Sequence, residues 1–111
     1  MTAIPEVTPA EFRNRWPDGP GPDTVTLVDV RELFEVELAS VPGAIHIPMR
    51  EIPQRLDELR PQSSIVVLCH VGGRSRQVAG FLLSTGFNDV FNLTGGIDAW
   101  SVDIDPQVPR Y

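Results

Sequence analysis

The chain contains one cysteine, Cys69, at the end of the apolar run Ile65-Val66-Val67-Leu68 and ahead of His70-Val71-Gly72-Gly73-Arg74-Ser75. Four apolar residues, a short Gly-Gly stretch and then a helical pattern read as strand, tight loop and helix N-terminus. Backbone N–H groups of such a loop can point inward, and the following helix adds the positive end of its dipole. Both stabilise an anion, so a thiol placed there ionises more readily than a free cysteine and becomes a nucleophile. The competing reading is a buried cysteine packed as a small hydrophobe at a strand end. The Gly-rich loop and the Arg-Ser pair opening a helix favour the nucleophile.

Composition narrows the chemistry further. A chain of 111 residues with 41% apolar and 22% charged residues suits one folded domain, 1–111, with a core of about residues 4–100 and a tail at 103–111. The net charge of −6 argues against nucleic acid as a partner. All nine basic residues are arginines, which excludes Schiff-base and P-loop lysines. One cysteine, with only His46 and His70 beside it, makes no disulfide and no zinc-ligand set, so no metal is expected. No run approaches a membrane span, and Met1-Thr2-Ala3-Ile4-Pro5 lacks the form of a signal peptide. The expected location is the cytoplasm, where a thiol stays reduced. Oligomeric state is not set by the sequence.

The elements that must position Cys69 follow in order. Ile4 to Val7 is a short strand candidate, and Thr8-Pro9-Ala10-Glu11 is a capping box with proline at the first helical position. That helix carries Phe12 and Trp16 on one face, and the Pro/Gly-rich stretch 17–23 ends it. Val25 to Val30 reads as a buried strand closing on Asp29, residues 32–39 as a short helix, and Ile45-His46-Ile47 as a strand. Pro53 is expected to start a helix burying Leu56 and Leu59. After the Cys69 loop, a helix is expected over about 76–85, with Val78, Phe81, Leu82 and Thr85 on one face and Gly86 as its left-handed cap. Gly80 inside it predicts close backbone packing, such as against the sheet. Asp89 to Leu93 is a strand, Thr94-Gly95-Gly96 a turn, Ile97 to Trp100 a last helix, and 103–111 an extended tail. Alternating strands and helices predict an α/β fold on a mostly parallel sheet. Cys69 and Asp29 then both lie at carboxyl ends of strands, where such folds bind ligands.

Six segments together resemble the rhodanese (sulfurtransferase) family. They are Val28-Asp29-Val30-Arg31-Glu32, Pro42-Gly43-Ala44-Ile45-His46-Ile47-Pro48, Arg55-Leu56-Asp57-Glu58-Leu59, Cys69 to Ser75, Gly86-Phe87, and Leu93-Thr94-Gly95-Gly96-Ile97 with Trp100. The resemblance runs from about Ile4 to Trp100. It implies a three-layer rhodanese-like fold, with a five-stranded, mostly parallel sheet and helices on both faces. It also implies a covalent persulfide on Cys69 and no other cofactor. Residues 95–111 are similar to the end of rhodanese domains fused to E1-like adenylyltransferases, which supply sulfur to ubiquitin-like carrier proteins. The family's histidine before the Pro-Gly-Ala turn is replaced by Ser40.

On that resemblance, Cys69 takes sulfur from thiosulfate or a persulfide donor and passes it to a thiol or a sulfur-carrier protein, with ping-pong kinetics. The anion-binding loop is expected to be His70, Val71, Gly72, Gly73, Arg74 and Ser75, the N–H groups of 70–74 holding the terminal sulfur and Gly72 and Gly73 permitting the dihedrals. Arg74 either meets an anionic donor or pairs with an acid to hold the loop, and the resemblance favours the second. His70 is expected to face solvent, and His46 to be structural. Asp29 and Arg31 are expected to brace the loop, with Arg31 pairing Glu35. A cysteine phosphatase or arsenate reductase would need one residue more between cysteine and arginine. A non-catalytic binding module is the remaining alternative.

Overall fold

The computed structural model describes residues 3–111. Five strands, β1 (Glu6–Val7), β2 (Thr26–Asp29), β3 (Ile45–His46), β4 (Ile65–Leu68) and β5 (Val90–Leu93), form one sheet in the order β1-β5-β4-β2-β3. Every neighbouring pair is parallel, so the sheet is wholly rather than mostly parallel. Three helices connect strands, α1 (Pro9–Arg15), α2 (Leu33–Leu38) and α3 (Gly73–Ser84), and α4 (Gly96–Asp103) follows β5. Strand β4 is central, and Cys69 emerges from the middle of the sheet's carboxyl edge.

A parallel sheet covered on both faces needs apolar residues on both sides of each strand. Strand β4 shows this directly. Ile65, Val67 and Cys69 join Val78, Ala79 and Leu82 of α3 with Ile52 and Leu59 in one core. Val66 and Leu68 join Phe12 of α1 with Ile97 and Trp100 of α4 in the other. The alternation follows from the two-residue period of a strand. Helix α1 starts as the capping box predicts: the Glu11 N–H donates to Thr8 Oγ1 at 3.1 Å and the Thr8 N–H donates to Glu11 Oε1 at 2.8 Å. Phe12 is buried, while Trp16 caps the helix and is only half-buried.

Several expected boundaries differ. Pro53 does not open a helix. It lies inside a 3-10 helix, Met49–Gln54, that begins after Pro48, and a second 3-10 turn spans Leu56–Glu58. A proline ring here clashes with the preceding α-turn and lacks an N–H, so the chain keeps to short three-residue bonds while still burying Ile52 and Leu59. Helix α3 begins at Gly73, not near Arg76, because Gly72 takes φ +112° and acts as the N-cap. Arg74 and Ser75 therefore sit in the first turn of the helix. Phe81 is not core but 37% exposed, whereas Val78 and Leu82 are buried. A Cβ on Gly80 would lie 3.2 Å from Ile4 Cδ1, so its close packing is against the N-terminal segment and not the sheet. The tail is turned rather than extended: Val108 is buried, its carbonyl accepts the Ser101 hydroxyl, and its N–H donates to Asp105 at 3.1 Å.

The exposure difference on α3 has a measurable consequence. Leu82→Ala is expected to cost about 2–5 kcal/mol in urea unfolding and Phe81→Ala less than half of that, the reverse of what two equally buried positions of these sizes would give.

Candidate active site

The site starts from a backbone problem. After Leu68, whose carbonyl accepts the Val30 N–H at 3.0 Å, the chain leaves the sheet and must turn within a few residues into α3. Gly72 makes that turn in the left-handed region, where a side chain is strained. Gly73 does not: its φ is not positive and a Cβ there would meet open space. The tightness of the turn brings the Gly72 N–H to 3.1 Å from Cys69 Sγ, and the Ser75 hydroxyl to 3.3 Å from the same atom. Cys69 is buried, as is Ser75. Burial pushes the Cys69 thiol up, but the Ser75 hydroxyl and the N–H groups of Ser75, Gly72 and Arg74 outweigh it, and the thiol lies below its ordinary range. The donor set includes Ser75, the last residue of the expected anion-binding loop, through both its N–H and its hydroxyl.

The carbonyls of the same loop are taken by α4. The Ile97 N–H donates to the Cys69 carbonyl at 2.9 Å and the Asp98 N–H donates to the His70 carbonyl at 3.1 Å. These are first-turn donors that have no partner within their own helix. The approach is so close that a Cβ on Gly96 would collide with the carbonyls of Cys69 and His70, and Gly96 also has φ +62°. With its carbonyls held outward, the loop can turn N–H groups toward the sulfur.

Two arginines carry the charge around this loop. Arg74 forms a bidentate pair with Glu35, Nη1 to Oε2 at 2.7 Å and Nη2 to Oε1 at 2.8 Å. That pairing, aided by the Glu32 backbone and the Tyr111 hydroxyl, overcomes burial and holds the Glu35 carboxyl down at about 2. Arg31 is fully buried and pairs with Asp29, Nη2 to Oδ2 at 2.6 Å and Nε to Oδ1 at 2.9 Å. Its remaining donors reach the carbonyls of Glu35 at 3.2 Å and Ala39 at 2.7 Å and the Tyr111 hydroxyl at 3.0 Å. All five N–H groups are thereby satisfied. The expected Arg31–Glu35 ion pair is therefore absent. Arg31 binds the Glu35 main chain because Asp29 occupies the near face of its guanidinium, which frees the Glu35 carboxylate for Arg74. Asp29 and Arg31 brace α2, and reach the loop through Glu35 and through the Tyr111 hydroxyl.

Tyr111 closes this arrangement. Its hydroxyl donates to Glu35 Oε1 at 2.9 Å, and its ring stacks on His70 with centroids 4.1 Å apart and planes 11° apart. His70 is half-buried under that ring rather than turned to solvent. Val71 is 63% exposed at the tip of the loop. His46 hydrogen-bonds the Arg31 carbonyl through Nε2 at 2.7 Å. Ser40 is exposed and borders a cleft with Val36, Glu37 and Gln107, on the tail side of α2. A groove of about 780 Å³ lies between Ile4-Pro5 and the Gly80 face of α3 and is not lined by Cys69. The sequence reading missed Tyr111, Gly96 and Asn92, whose side chain reaches Ser75. Only Gly96 had a local signal, the Gly-Gly pair directly after a strand, which marks a close backbone approach.

Comparison with known proteins places this geometry among others. The rhodanese-like domain model matches residues 8–103. The rhodanese-like/PpiC domain-containing protein 12 (chloroplastic) of Arabidopsis thaliana is 41% identical over 97% of this chain, which spans 38% of that protein. A sulfurtransferase of Allochromatium vinosum is 38% identical over 71% of this chain and 74% of its own length. The adenylyltransferase and sulfurtransferase MOCS3-1 of Zea mays is 29% identical over the whole chain, which spans 25% of that protein. Among solved structures, a rhodanese-related protein from Thermoplasma volcanium superposes with a TM-score of 0.80 at 26% identity, over 97% of this chain and 100% of that one.

Two outcomes follow from the site. Gly96→Ala is expected to push the loop from α4, costing about 1–3 kcal/mol in denaturant unfolding and slowing alkylation of Cys69 at neutral pH. Glu35, held at about 2 against an ordinary 4.5, is more acidic folded than unfolded. Its contribution to stability is present above about pH 4.5 and is lost as pH falls toward about 2. Glu35→Gln should therefore flatten the pH dependence of the unfolding free energy across that window, as read by urea melts at successive pH values.

Proposed function

The chain belongs to the rhodanese-like domain family, and from that premise we propose that it is a sulfurtransferase working through a persulfide on Cys69. The observation that carries this reading is the sulfur's surroundings. Cys69 Sγ is buried, receives the Gly72 N–H and the Ser75 hydroxyl, and sits at the N-terminus of a twelve-residue helix. These donors are preorganised for an anion and need no rearrangement when charge arrives.

In the first half-reaction the Cys69 thiolate attacks the outer sulfur of thiosulfate. A Cys69–sulfur bond forms, the sulfur–sulfur bond of thiosulfate breaks, and sulfite leaves with that electron pair. The enzyme keeps an anionic terminal sulfur. In the second, an acceptor thiolate attacks that sulfur, and Cys69 departs as the thiolate it began as. No proton or external electron is needed for the balance. Dividing the transfer in two gives ping-pong kinetics. The physiological acceptor on this reading is a small thiol or a sulfur-carrier protein, in keeping with the likeness to the adenylyltransferase and sulfurtransferase proteins. A reducing, cytoplasmic setting suits a site whose one cysteine must return to the thiol.

Arg74 weighs against phosphoryl chemistry. A phosphatase loop would use its arginine to clamp the transferred oxyanion, but both terminal nitrogens of Arg74 are engaged by Glu35. Four residues between Cys69 and Arg74 also make a narrower ring than a tetrahedral oxyanion needs.

Incubation with thiosulfate, followed by intact mass measurement, is the direct test. The native chain is expected to gain the mass of one sulfur atom, released again by cyanide or dithiothreitol, and Cys69→Ser to gain none. No adduct from thiosulfate or from a glutathione persulfide donor would overturn the proposal.

A further inference from the structure

A second polar chain leaves the same sulfur on the side away from α2. Ser75 Oγ lies 3.3 Å from Cys69 Sγ and 2.5 Å from Asn92 Oδ1. Ser75 and Asn92 are both buried. The Asn92 amide has its orientation dictated by acceptors: Nδ2 donates to the Gly72 carbonyl at 3.2 Å and to the two Glu6 carboxylate oxygens at 3.1 and 3.2 Å. Glu6, on the exposed edge strand β1, also accepts the Thr94 hydroxyl at 2.8 Å and faces Arg76 at 3.6 Å. With Nδ2 committed to acceptors, the atom turned to Ser75 is Oδ1. A serine hydroxyl has one proton to donate. Once Cys69 is anionic that proton faces two acceptors, the sulfur and the amide oxygen, and can serve only one of them fully.

We propose that Asn92 is a positioning residue that sets the direction of the Ser75 hydroxyl, holding its proton away from Cys69 in the thiol state and releasing it to the sulfur only when the sulfur is anionic. In the thiol state the chain runs from Cys69 S–H to Ser75 Oγ and from Ser75 O–H to Asn92 Oδ1, and every donor has an acceptor. When the thiol proton leaves to water, the hydroxyl turns to the sulfur and Oδ1 is left buried without a donor. The S–H bond is the one bond broken, and its proton returns from water when the thiol re-forms. An orphaned buried acceptor is costly, so Asn92 opposes the anion and keeps it less stabilised than a free Ser75 would. On the sulfurtransfer reading above, a less stabilised Cys69 thiolate is the stronger nucleophile toward the outer sulfur of the donor.

The charged and titratable groups around this unit are Arg74 on α3, Glu35 on α2, His70 in the loop, Asp98 on α4, Tyr111 in the tail, Glu6 on β1 and, against Glu6, Arg76 on α3. The first five are left in place by the substitutions that follow. The pH profile of Cys69 alkylation by iodoacetamide reads the thiolate whether or not the protein transfers sulfur. In Asn92→Leu the apparent pKa is expected to fall by about one unit, making alkylation about tenfold faster at a pH well below it. In a Ser75→Ala background the same substitution should move the profile by nothing, since no hydroxyl is left to redirect. Glu6→Gln loosens the hold on Nδ2 from the protein's surface and should give a smaller fall, again absent with Ser75→Ala. An unchanged or raised pKa in Asn92→Leu, or a fall that survives Ser75→Ala, overturns the proposal. If Asn92→Leu does not fold, an unchanged profile in Glu6→Gln overturns it instead. Loss of the thiosulfate adduct in the wild type, with these profiles as expected, would remove the sulfurtransfer reading and leave the role of Asn92 standing.

Discussion

The structure depends on where two backbone carbonyls go. Cys69 and His70 leave the sheet with carbonyls that must find donors, because a buried loop with unpaired carbonyls is costly. Helix α4 supplies the donors from its first turn, through Ile97 and Asp98. Only a glycine at position 96 lets the helix come near enough. The loop can then aim N–H groups at the sulfur, and the strained turn at Gly72 brings one into contact with it. Two helix starts thus meet at Cys69, with α4 binding the carbonyl side of the loop and α3 receiving its other end. The chemistry of the sulfur follows from that division of labour.

Charge is arranged so that little of it acts on the sulfur without opposition. The field of Arg74 reaches Cys69, but Glu35 neutralises it in a two-bond pair. Glu35 is positioned in turn by α2, which Arg31 ties to the end of β2 through Asp29 and through the carbonyls of Glu35 and Ala39. A buried guanidinium with every N–H occupied fixes geometry more than it adds stability, since the desolvation of both charges offsets much of their attraction. Tyr111 joins the two arginine systems through one hydroxyl and covers His70 with its ring. Anion stabilisation at Cys69 therefore falls mainly to neutral donors, the amides and Ser75, and their balance can be tuned by a neutral side chain such as Asn92.

The parts legible in the sequence were those governed by local pattern. The Ile65–Leu68 strand, the capping box at Thr8 and the left-handed Gly86 are written in short segments, and the alternation of elements gives the α/β class. Cys69 was legible because its flanking residues describe a strand end and a helix start at once. The departures share another origin. Phe81 has the same helical spacing as Val78, but periodicity does not say how wide the covered face of α3 is. Pro53 can start a helix or interrupt one, and only the packing of Ile52 and Leu59 decides. The partner of Arg31 was misread because Asp29 and Glu35 are both near in sequence, and the choice between them depends on Arg74, which arrives from a different strand end. Tyr111 and Asn92 reach the site through the tail's turn at Val108 and the register of β5, neither of which a single motif encodes.

The central claim is that the amides of this loop are the seat of the anionic sulfur. Backbone 1H–15N spectra of the protein before and after persulfidation of Cys69 test it most directly. The N–H resonances of Gly72, Arg74 and Ser75 should move downfield and gain protection from hydrogen exchange, while amides of β1 and α1 stay in place. Unmoved resonances at those three residues, with a persulfide present by mass, would contradict the account.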